Sequence, residues 1–222
     1  MSWVTALTIE TAVVLVAAPL VGVLEMSRVR ARSAHILVEP ARHQLEHGWK
    51  VPIRLLVGIT AAAAFSALGS WLIRVPVASP GSIIRAHVTL ALVAYASAAS
   101  GALAASLDFE TLDAAAMTTG GWIVAAVGLL ALGPSLIDLP TRLLNALLLA
   151  NPLVVVMAAG DIDMFRWPAL YRISPVAHMR FDYPAWPVAA LTYTVIALTC
   201  SLLAAIRAGD FPGPRTREWT DT

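Results

Sequence analysis

The chain has 222 residues, 59% of them hydrophobic and 13% charged, with a mean hydropathy of +0.76. Soluble domains carry about 25% charged residues, so these values exclude an ordinary soluble domain. A formal net charge of +1 gives no basis for nucleic-acid binding, and the single cysteine, Cys200, allows no internal disulfide.

Several windows reach the roughly 20 apolar residues that cross a hydrocarbon core. The expected fold is therefore an all-α polytopic membrane protein with five to six transmembrane helices. Residues 1–207 form one transmembrane domain and 208–222 a short polar tail. The first expected span covers residues 7–24. It lacks the basic start of a cleaved signal peptide, because the first positive charge is Arg28. Glu10 falls early in this span, where an ionisable group is a candidate for function unless it pairs or snorkels.

Residues 25–50 carry Arg28, Arg30, Arg32, Arg42 and Lys50, whereas the N-terminus carries no positive side chain. Positive charge marks the cytoplasmic side, so this loop is expected in the cytoplasm and the N-terminus outside. Ile36, Leu37, Val38, Leu45 and Trp49 alternate with polar residues such as Glu39, and Pro40 interrupts the stretch. That pattern suits a short helix on the membrane surface, begun or broken at Pro40. It reads either as a basic anchor or as a docking element for a cytoplasmic partner. His43, Glu46 and His47 match H-x-x-E-H in letters, but a metal site needs a third ligand and a cleft, and so short a match arises easily by chance.

The second and third spans are expected at 51–73 and 83–106. His87 falls near the outer end of the third, beside Arg85. The small residues Ala94, Ala96, Ser97, Ala98, Ser100, Gly101 and Ala104 crowd this span and favour close helix packing. Asp108, Glu110 and Asp113 gather in the following turn, where they suit helix capping better than catalysis. The fourth span is expected at 119–138 and the last at 185–207.

Between them, residues 143–160 are long enough to span but hold Asn145, Asn151 and Pro152. Amides and a helix breaker are costly in hydrocarbon unless protein or water satisfies the backbone. A re-entrant or interfacial segment is expected there, within an outer cap covering 140–184. Trp167, Tyr171, Phe181, Tyr183 and Trp186 suit the interface, and Arg166, Arg172 and Arg180 can pair with Asp161, Asp163 and Asp182. Prolines 168, 175, 184 and 187 cut the segment into short pieces. With five spans the C-terminus lies in the cytoplasm.

Three stretches carry a family resemblance. "HILVEPARHQLEHGWKVPIRLLV" (35–57), "ASAASGALAASLDFETLDAAAMTTGGWIVAAVGLLALGP" (96–134) and "NPLVVVMAAGDIDMFRWPALYRISPVAHMRFDYPAWPVAALTYTVIALTCSLLAA" (151–205) resemble permeases of the ABC-2 type. The first is similar to the coupling helix and the Gly-x-Lys that opens the next span, here Pro40, Gly48 and Lys50. The last is similar to the outer loop: Asn151-Pro152, Leu-Tyr171-Arg172-x-Ser-Pro175, then Tyr183-Pro184-x-Trp186. Such permeases have six spans, two before the coupling helix, and this chain has one there.

The resemblance implies the membrane-spanning half of an ATP-driven exporter in a bacterial inner (plasma) membrane. It implies a cytoplasmic ATP-binding subunit docked at Ile36, Leu37, Val38, Glu39, Pro40, Leu45 and Trp49. A second permease chain, identical or related, and membrane lipid complete the partners. No cofactor and no catalytic residue is implied here. No G-x-x-x-x-G-K-[ST] loop occurs in the sequence. Two other classes stay open. Residues 18–50 are faintly similar to a membrane subunit of complex I and hydrogenase-like redox assemblies. A non-catalytic scaffold or accessory subunit of a larger complex fits the absent first span.

Overall fold

The computed structural model describes residues 3–35, 41–72, 79–107, 109–132, 136, 139–166 and 182–209. Among these residues every regular element is helical. In chain order they are α1 (Trp3–His35), α2 (Ala41–Leu72), α3 (Pro80–Ser106), α4 (Thr111–Leu132), α5 (Thr141–Ala150), α6 (Pro152–Ala159), a 3-10 turn (Met164–Arg166) and α7 (Trp186–Gly209). Five of them, α1, α2, α3, α4 and α7, are long and apolar enough to cross a membrane. The chain is an all-α polytopic membrane protein.

The central helix is α3. Of its spanning window 67% is buried, against 17% for α2, and it packs on α1, α2, α4, α6 and α7. Its start is fixed locally: the Ser79 hydroxyl accepts from the Ser82 amide at 3.1 Å, and Pro80 occupies the first turn, where its missing N–H costs nothing. The small residues on α3 let α1 approach until the backbones touch. A Cβ on Gly22 would lie 1.9 Å from the Ala98 carbonyl oxygen, and one on Gly101 would lie 2.3 Å from that of Pro19. In lipid, where burial of apolar surface gives helices no advantage, such contacts supply the attraction.

The helices depart from the expected boundaries in two places. Within residues 25–50 a helix begins directly after Pro40, as expected, and it is continuous with the second span. The chain stays helical in α1 to His35 and is helical again from Ala41 into the spanning part of α2. Hydropathy drops after Leu24, but Ala, Arg and Glu remain good helix formers, and Arg28 reinforces the turn by bonding Glu25 at 2.6 Å. Residues 36–40 lie outside the described residues. In the second place α4 begins at Thr111, eight residues before the expected 119. The Glu110 carbonyl accepts from the Ala114 amide at 2.9 Å, and Asp113 sits in the first turn, where the helix dipole favours a carboxylate.

The ambiguous segment is two short helices, α5 and α6, bent by 85° at their junction. At 1.5 Å per residue they are about 15 and 12 Å long, too short to cross alone. The Tyr193 hydroxyl of α7 bonds the Ala150 carbonyl at 3.2 Å, and Ser201 bonds Tyr95 of α3 at 3.1 Å. These contacts pack α7 against the α5–α6 junction and against α3. The bent pair is either a re-entrant segment or a broken span, which makes five spans or six.

Candidate functional site

Between α1, α2 and α3 lies a cleft of about 610 Å³. Its walls are apolar: Val13, Ala17 and Val21 from α1, Leu55, Ile59 and Ala62 from α2, and Leu90, Ala94 and Ala98 from α3. Polar groups occur at its ends, Glu10 and Ser66 at one and Glu25 and Arg54 at the other. Fifteen residues of α1 separate the two carboxylates, about 22 Å along a helix, most of the roughly 30 Å hydrocarbon thickness.

At the first end three helices converge on one carboxylate. The Ser66 hydroxyl of α2 donates to Glu10 Oε1 at 2.9 Å. Glu10 Oε2 lies 3.4 Å from His87 Nε2 of α3. The histidine is held from behind, its Nδ1 lying 2.8 Å from the Ile83 carbonyl oxygen. The Trp3 indole covers it, ring centres 5.9 Å apart. Glu10 is 29% exposed and His87 3%, so the histidine is committed to the interior. Beside this group Arg85 is drawn away to Asp161 Oδ2 at 2.5 Å and the Ala159 carbonyl at 3.4 Å.

At the other end Glu25 takes Arg28 at 2.6 Å and Arg54 at 3.8 Å. Both guanidinium groups are more than half exposed, so this is a solvated cluster worth little to stability. It leaves one positive charge in excess, while Glu10 holds the opposite end.

The elbow between α5 and α6 is built on Asn151, which is 1% exposed. Its side-chain oxygen accepts from the Val154 amide at 3.0 Å and caps α6. Its amide nitrogen donates to the Ala126 carbonyl of α4 at 2.9 Å. Pro152 follows at the first position of α6 and is buried. Val154, Val155, Val156 and Met157 are all buried, so α6 is part of the core rather than a loose cover.

The remaining expected residues fall as follows. Tyr183 donates its hydroxyl to the Asp163 carboxylate and stacks on Phe165. Burial, reinforced by that carboxylate, pushes its phenol up from the usual tyrosine value. Arg166 pairs with Asp163 at 3.1 Å as expected, but Asp161 is taken by Arg85 of α3. Pro184 is half-buried, and Trp186 opens α7 with 42% exposure. Trp49 of α2 is 45% exposed, and Leu45 lies within α2. Ile36, Leu37, Val38, Glu39, Pro40, Asp108, Tyr171, Arg172 and Pro175 lie outside the described residues.

The sequence alone pointed to Glu10 and His87 separately and missed their meeting with Ser66. It missed the Glu25–Arg54 pair as well. Comparison with protein-family models, with curated proteins and with solved structures finds no match for this chain. Fold and site together define an integral membrane protein with a side cleft running most of the way across its helical bundle.

Proposed function

We propose that the chain is the membrane-spanning permease subunit of an ATP-driven transporter, most simply an exporter. Hydrolysis belongs to a separate cytoplasmic ATP-binding subunit. The observation that carries this reading is the cleft of about 610 Å³, apolar along its length and ended by a carboxylate at each side. A path for an amphipathic solute needs such a lining.

In this reading the Glu10 end faces outward and the Glu25 end faces the cytoplasm of a bacterial inner membrane. The ATP-binding subunit docks at the cytoplasmic ends of α1 and α2, around Ile36, Leu37, Leu45 and Trp49. The exposed face of α2, with Ile53 at 58%, Val57 at 64% and Phe65 at 80% exposure, meets a second permease chain or lipid. That same face favours a second reading, an accessory subunit of a larger membrane complex.

Purification of the tagged chain in mild detergent separates them. The permease reading predicts a stoichiometric partner with a phosphate-loop ATPase sequence, lost from the Leu37→Asp, Leu45→Asp double variant. Recovery with a redox complex, or with membrane proteins and no ATPase, contradicts it and leaves the accessory role.

A further inference from the structure

The cleft between α1, α2 and α3 is long, thin and polar only at its ends. Spread over the distance of about 22 Å between Glu10 and Glu25, its volume of about 610 Å³ leaves a mean cross-section of about 28 Å². That is the girth of one extended hydrocarbon chain and too little for the two chains of a bilayer lipid. Its length exceeds the roughly 15 Å of hydrocarbon in one leaflet. Ile9, Val13 and Val21 line it and are about half exposed, so a chain can reach it from beside α1. On the α2 wall, a Cβ placed on Gly58 would meet nothing within 4 Å.

The two ends differ in charge. At one, Arg28 bonds Glu25 at 2.6 Å and matches its charge. Arg54 lines the cleft there but lies 3.8 Å from Glu25, beyond hydrogen-bond reach, and makes no hydrogen bond among the described residues. Its side chain is 57% exposed, and Lys50, one turn earlier on α2, is exposed as well. This mouth therefore offers positive charge and a planar set of N–H donors, which suit a phosphate or carboxylate. At the far end Glu10 and Ser66 bond each other and offer an anion nothing.

We infer that the cleft takes a single-chain amphiphile with an anionic head, its tail lying along α1, α2 and α3 and its head on Arg54. This names the substrate class of the path proposed above and rests on that reading. The bilayer interior is as apolar as the walls of the cleft, so the tail gains little by leaving the lipid. Selection falls to the head. A tail seated from Arg54 toward Glu10 crosses the membrane midplane inside the protein, part of the way along a transport path.

The test is equilibrium binding of radiolabelled dodecyl phosphate to the protein in phosphatidylcholine nanodiscs, with empty nanodiscs subtracted. The expected result is saturable binding, displaced by unlabelled dodecyl phosphate and not by dodecyltrimethylammonium. Arg54→Gln weakens it about tenfold, through loss of one charge-assisted contact, and raised salt weakens it in the wild-type protein. Gly58→Leu, which fills the cleft where a Cβ has open space, weakens it as much or more. Unchanged unfolding midpoints show that both variants keep the fold. Where a variant folds poorly, the contrast between phosphate and ammonium in the wild-type protein decides. Equal displacement by the ammonium, undiminished binding in folded Arg54→Gln or Gly58→Leu protein, or no binding beyond that of empty nanodiscs overturns the inference. The measurement reads binding without ATP, so its failure leaves the path standing, whereas the absence of an ATPase partner removes the path and leaves this result.

Discussion

Gly22→Val is expected to be the most damaging single change in the bundle, and Gly101→Val its equal. The atoms that a new Cβ would strike are backbone: the Ala98 carbonyl at 1.9 Å for Gly22 and the Pro19 carbonyl at 2.3 Å for Gly101. A flexible side chain could swing aside; a carbonyl inside a helix cannot. Relief requires α1 and α3 to separate, and α3 is the helix on which the others pack. Overpacking a fitted interior costs about 1–3 kcal/mol, and this contact belongs at about 3 kcal/mol or more. Thermal unfolding in detergent checks it, with Gly58→Val as control, since a Cβ there meets nothing within 4 Å. Equal unfolding midpoints for Gly22→Val and Gly58→Val would contradict the close crossing.

The second large effect is expected at Asn151. Asn151→Leu preserves volume but removes the cap on the buried Val154 amide and the bond to Ala126. A lost cap and an unpartnered buried donor together cost about 2–3 kcal/mol. Asn151→Ser restores a capping oxygen but cannot reach α4, so it should recover roughly half of that loss. The same unfolding measurement reads both. If leucine and serine destabilise equally, the cap is not what holds the elbow.

These residues differ in how plainly the sequence announces them. Asn151-Pro152 was legible because an amide and a helix breaker in an apolar run demand a local explanation, and the bend of 85° supplies it. The five spanning helices were legible for the same reason that hydropathy works: each must be apolar on its own. The small residues of α3 were legible as a packing face, but their partner was not. Nothing local distinguishes Gly22 of α1 from Gly58 of α2, whose surroundings are open.

The cleft was hidden, because its walls are ordinary span residues and its ends come from different helices. Glu10 and Ser66 are 56 positions apart, and only the antiparallel return of α2 brings them together. The continuation of α1 to His35 was missed because hydropathy reports where the membrane ends, whereas helix propensity decides where the helix ends. The early start of α4 at Thr111 has the same origin.

The claim on which the account turns is that the cleft between α1, α2 and α3 is a path for solute. Single cysteines placed at its middle, Ala17→Cys and Ala62→Cys in a Cys200→Ser background, test this by reaction with a water-soluble thiol reagent in membranes. Leu198→Cys on the exposed face of α7 serves as the lipid-facing reference. Rapid modification at 17 and 62, with 198 inert, is the predicted result. If 17 and 62 are as inert as 198, the cleft is filled by lipid or by another chain, and the permease reading is wrong.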